Sequence, residues 1–140
     1  MAASTRILYD QTKCGGKAAI LRVNTDDAGD TDLLLVNAFS LAGNTGTVDT
    51  QRVAISKIWL SQNSVSTANV QWNATAPETA IFVVGSRQWN FDEIGFPGPI
   101  ENNAGTGVDG DIILTTSGPH TTIIEVRKMA GYTGGYPDNG

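Results

Sequence analysis

The sequence predicts an all-β protein: a single-domain antiparallel β-sandwich or barrel, jelly-roll-like, of about eight strands with little or no helix. Three observations carry that expectation. The apolar residues fall in short runs rich in β-branched and aromatic side chains, and no stretch keeps a 3.6-residue period. Gly, Asn, Asp or Pro bound nearly every run, as turn chemistry requires. The chain has 140 residues, enough for one domain with its own core and too few for two of ordinary size.

Taken in order, the runs read as strands at Thr5–Asp10 (TRILYD), Lys17–Asn24 (KAAILRVN), Asp32–Phe39 (DLLLVNAF) and Arg52–Leu60 (RVAISKIWL). They continue at Asn69–Ala74 (NVQWNA), Thr79–Val84 (TAIFVV), Asp111–Thr116 (DIILTT) and Thr121–Lys128 (TTIIEVRK), and a brief RQWNF, Arg87–Phe91, adds an edge piece. QTKCGG between the first two runs, with its glycine pair, reads as a hairpin turn. SGPH between the last two reads as another. In NVQWNA, Val70, Trp72 and Ala74 alternate with Asn69, Gln71 and Asn73, so one face is dry and the other wet. In TTIIEVRK, Thr122, Ile124 and Val126 share one face while Glu125 and Arg127 share the other. LLLV, IFVV and IIL are apolar on both faces and read as central strands, covered by a second sheet or by another subunit. Residues 1–128 are taken as the β domain, with an arm at the first few residues. Residues 129–140, rich in Gly, Tyr and Pro, are taken as a C-terminal tail.

Charged residues make up 16% of the chain and the net charge is −5, with no run of Lys or Arg longer than two. Displacing counterions from phosphates needs a cationic stripe, so neither nucleic acid nor an anionic membrane surface is an expected partner. The N-terminus carries no apolar h-region, so no secretion signal is expected. No window approaches the eighteen apolar residues of a spanning helix. A single cysteine, Cys14, excludes an intrachain disulfide and is read as a turn residue.

The motifs that suggest chemistry fail on context. Gly105, Gly107 and Gly110 in NNAGTGVDGDIILTT have the GxGxxG spacing of a dinucleotide-binding turn. A proline-containing loop precedes them, a strand follows, and Asp109 and Asp111 stand where a phosphate would lie. The glycines instead form the flexible approach to a strand, where Gly107 or Gly110 needs positive φ. Asp26, Asp27, Asp30 and Asp32, like Asp109 and Asp111, could supply oxygen ligands, but neither group follows the order of a calcium loop, and solvated turn aspartates are expected. His120, the only histidine, follows Pro119 and reads as a turn histidine; one Cys and one His make no zinc site. No acid–base pair can be named, so no catalytic residue, metal or cofactor is expected. Asn73-Ala74-Thr75 is a glycosylation sequon by accident of sequence.

Aromatic residues are the remaining candidates. Trp59 and Trp72 lie in strand patterns and read as core. Trp89 leads into an apolar loop, in which Phe91 is expected to plug the end of the sandwich and Phe96, with Pro97, to meet a neighbour. Tyr132 and Tyr136 in the tail are the kind of side chain that anchors a segment to a partner. The candidate partner interface is therefore Trp89, Phe96, Pro97, Tyr132 and Tyr136.

The series KIWLS, VQWNAT, WNFDEIGFPG, IENNAGTGVDGDIILTTSG and TIIEVRK, spanning about Arg52 to Lys128, resembles a group of small virion structural proteins of tailed bacteriophages. NNAGTGVDGDIILTT and the final IIEVRK are its most specific parts. The resemblance implies a non-enzymatic particle component assembled in the host cytoplasm. Within that group a capsid decoration, or cement, protein is expected: a homotrimer on the outer capsid surface that bridges major capsid protein subunits. A tail, neck or head-fibre component fits the same residues. A carbohydrate-binding β-sandwich module is the alternative from another class, and it needs Trp89, Tyr132 or Tyr136 exposed.

Overall fold

The computed structural model describes residues 5–10, 18–25, 29–45, 50–91, 98–129 and 131–132. Its strands are β1 (Arg6–Asp10), β2 (Ala18–Thr25), β3 (Leu33–Val36), β4 (Val53–Gln62), β5 (Thr67–Trp72), β6 (Glu78–Val84), β7 (Arg87–Asn90), β8 (Ile112–Thr116) and β9 (His120–Lys128). One sheet has the order β1-β2-β9-β4-β7 and the other β3-β8-β5-β6, and every pairing is antiparallel. The order β2-β9-β4-β7 facing β3-β8-β5-β6 is that of a jelly roll, with β1 added beside β2. The short run at Arg87–Phe91 does form an edge strand, β7.

Side-chain alternation puts the core between the sheets. On β5, Ala68, Val70 and Trp72 are fully buried while Asn69 and Gln71 turn outward. On β9, the inward row is His120, Thr122, Ile124, Val126 and Lys128, and Glu125 and Arg127 lie on the outer face. Trp72, Leu35, Ile58, Ile112, Leu114 and Ile124 fill the middle. Each contributes about 1.5–3 kcal/mol of hydrophobic stabilisation.

Three expectations are corrected. SGPH is not a hairpin turn: β8 pairs with β3 and β5 in one sheet, β9 with β2 and β4 in the other, so the turn carries the chain from sheet to sheet. LLLV and IFVV are not central strands. They are β3 and β6, the two edges of the smaller sheet, and only IIL, in β8, is interior. The run from Asp32 stops as a strand at Val36 and gives way to a 3-10 turn at Ala38–Ser40. There the Asp111 carboxylate takes the Ala38 N–H at 2.8 Å and draws it away from any strand ladder.

The glycines before β8 act as the sequence suggests. Both Gly107 (φ 80°) and Gly110 (φ 84°) lie in the left-handed region. A Cβ on Gly110 would also stand 2.0 Å from the Gln51 carbonyl oxygen. Packing continues past Lys128: Met129 N–H donates to the Arg52 carbonyl at 2.8 Å, and Tyr132 is buried against the core.

Candidate partner interface

Of the five interface candidates, the structure describes two. Trp89 lies on edge strand β7 opposite Ile58, on the inward side, where it is half-buried, packs against the core and stacks on Phe91 at 6.3 Å. Phe91 is 8% exposed and joins the core, as a plug at the sheet's end should. Tyr132 is turned inward rather than toward a partner: its hydroxyl donates to the Ala38 carbonyl and its ring lies 5.7 Å from Lys128 Nζ. Burial first, and the nearby Asp10 and Asp111 carboxylates second, push its pKa above the usual tyrosine range, so it stays a neutral donor. Phe96, Pro97 and Tyr136 lie outside the described residues, as does Cys14.

The surface exposes a different apolar set. On β6, Phe82 (59% exposed) and Val84 (53%) point outward, and Val65, in the turn before β5, is more open still. Val84 is paired with Thr67, so Val65 stands two residues from that pairing. On the other flank Ile7, Leu8 and Tyr9 of β1 and Leu34 of β3 are exposed. Thr5 Oγ1 donates to the Leu34 carbonyl at 2.9 Å and ties these two edges together. Both flanks are sheet edges, where unpaired backbone and outward apolar side chains coincide. The signal is present in the sequence, because IFVV and LLLV are apolar on both faces. What the sequence withholds is that these strands are the last in their sheet.

On the larger sheet's outer face an open depression of about 390 Å3 runs over Trp59, Ser61, Ser86, Arg87, Gln88, Thr121 and Ile123. Trp59 is therefore a half-exposed outward residue, flanked by Ile123 and Gln88 on the neighbouring strands, and not core as its strand pattern suggested.

The polar groups that invited chemical readings are committed inside the chain. His120 is a strand residue with its side chain wholly buried; Nε2 lies 2.8 Å from Asp30 Oδ2 and Nδ1 2.9 Å from Thr122 Oγ1. Thr122 is itself fully buried, so only the Asp30 end of this line of Asp, His and hydroxyl reaches solvent. Asp109 takes the Asn73 side-chain amide at 2.7 Å and the Asp111 N–H at 3.0 Å, which fastens the glycine loop. Among the described residues no three His, Cys, Asp or Glu side chains gather as a metal site, and no helix is long and apolar enough to cross a membrane.

No family model, curated protein or solved structure matches the chain.

Proposed function

We propose that this chain is a non-enzymatic structural protein of a tailed-bacteriophage virion. In this reading it is a capsid decoration, or cement, protein that binds the major capsid protein lattice as a homotrimer and stabilises the head from outside. The observation that carries the reading is the pair of apolar flanks, Phe82 and Val84 on β6 and Ile7, Leu8, Tyr9 and Leu34 on β1 and β3. A jelly roll that needed only its own core would put polar side chains at those outward positions. Burial there against a neighbour contributes about 25 cal/mol for each Å2 removed from water. The resemblance over Arg52 to Lys128 supplies the class of particle.

The mechanism is mechanical. One flank contacts a copy of the chain and the other the lattice, and modest contacts repeated by symmetry add up to firm attachment. Strain from packaged DNA is then opposed across the joints between capsomers. Two measurements test this. Quantitative densitometry of purified particles should find the protein in numbers set by the lattice, and particles lacking it should assemble yet lose heat resistance. A handful of copies per particle, or particles without tails, would assign it to the tail, neck or head fibre instead.

A second reading is favoured by the depression at Trp59. An indole face beside Arg87, Gln88, Ser61 and Thr121 is a surface on which a sugar ring can stack and hydrogen-bond. A glycan array probed with wild type and Trp59→Ala decides it: binding that the substitution abolishes would establish a carbohydrate module.

A further inference from the structure

We infer that Lys128 and Asp10 are the two halves of an intramolecular isopeptide bond, which joins β9 to β1. The inference rests on their placement and does not depend on where the protein acts. Asp10 ends β1 and Lys128 ends β9, and both strands flank β2 in one sheet, so rigid elements hold the two groups together across 118 residues of sequence. The Lys128 side chain is wholly buried and that of Asp10 is only 16% exposed, with Nζ set directly against Oδ1.

The surroundings suit an amide. Ala42 N–H donates to Asp10 Oδ2 at 2.7 Å, and the Ala42 carbonyl accepts from Lys128 Nζ at 2.8 Å. One residue thus offers one donor to the carboxyl oxygen that would remain and one acceptor to the single N–H that an amide nitrogen keeps. During addition the same N–H steadies the negative charge that develops on Oδ2. Tyr132 closes the site with its ring over Nζ, and its hydroxyl is occupied by the Ala38 carbonyl. A charged pair held here bears a desolvation cost that a neutral amide does not.

The reaction is a condensation without redox change. The Lys128 ammonium passes a proton to the Asp10 carboxylate, and the freed amine lone pair adds to Cγ. The N–Cγ bond forms, the Cγ–Oδ1 bond breaks, and Oδ1 departs with two of the three ammonium protons as water. Nζ retains the third.

Mass spectrometry of the intact, denatured wild-type chain tests the inference. The expected mass is one water below that of the sequence, and a digest should yield one branched species joining the peptide with Asp10 to the peptide with Lys128. Lys128→Arg keeps a cation on the same carboxylate and should restore the full mass. Folded wild-type protein at its full sequence mass would reduce the contact to an ion pair. A water loss that persists in Lys128→Arg would place the dehydration elsewhere, and either result overturns the inference.

Discussion

The two ends of β9 solve the same problem in different ways. Its buried row begins with His120 and finishes with Lys128, and each meets an aspartate from a distant part of the chain. At the His120 end the fastening is done by short hydroxyl side chains that link adjoining turns. Thr116 Oγ1 takes the Asp30 N–H at 2.9 Å, Ser117 Oγ takes the Thr67 N–H at 2.9 Å, and Thr122 Oγ1 holds the imidazole. At the Lys128 end more segments of the chain converge. Asp10, Ala38, Ala42, Asp111 and Tyr132 bring together the first strand, the 3-10 turn, the start of β8 and the C-terminal residues. One end is a stitch between connections. The other is where the chain closes on itself, and loss there should cost more.

The largest effect is expected from Lys128→Ala, which leaves Asp10 beside an empty, buried site: about 3–5 kcal/mol of stability lost, read by urea denaturation. Gly110→Ala acts at the same end by a different route. It forces a Cβ against the Gln51 carbonyl in a left-handed backbone and should cost about 3 kcal/mol. His120→Gln, which loses the imidazole bridge between Asp30 and Thr122, should cost about 1–3 kcal/mol. If it proves as costly as Lys128→Ala, the contrast between the ends is wrong. At the bottom of the scale, Lys57→Ala should change stability by less than about 1 kcal/mol, because its 3.7 Å pairing with Glu125 is partly solvated.

Alkali offers a separate probe of the Lys128 end. Burial holds the Tyr132 pKa above its ordinary 10.0, so the unfolded chain releases that proton first as pH rises. The contribution of Tyr132 is therefore complete below pH 10.0 and declines above it. Tyr132→Phe should remove that alkaline loss, at the expense of about 1 kcal/mol at neutral pH for the missing hydrogen bond to Ala38. Denaturation curves across the alkaline range would show both effects.

Much of the fold is legible because alternation is local. The pattern Thr122, Ile124, Val126 identifies the buried face of β9, and carried one step further in each direction it also puts His120 and Lys128 inside. Reading His120 as a turn residue stopped that pattern one step short. Sheet order is not local, which is why SGPH looks the same whether the chain doubles back or changes sheet, and why IFVV does not announce an edge. Trp59 faces outward for a related reason. It sits in a strand-like run, but which way its ring faces depends on register, and β4 carries a bulge between Ile55 and Lys57 that resets it. The buried Ser56 at that bulge donates to Glu125 Oε2 at 2.8 Å, a detail only pairing could reveal. Apart from Trp89, the interface candidates in the sequence lie in a loop and the tail, whereas apart from Val65 the exposed large apolar side chains among the described residues belong to strands.

The position of β9 also governs when this protein can fold. Among the described strands it is the last to leave the ribosome, yet it lies between β2 and β4 in the larger sheet. Until it emerges, those two strands have open edges and face no completed layer, so the nascent chain cannot settle into a stable partial domain. A message truncated shortly before His120 would release a product with two adhesive edges, and it should be found in aggregates or degraded. Emergence of β9 is thus the event that licenses the fold.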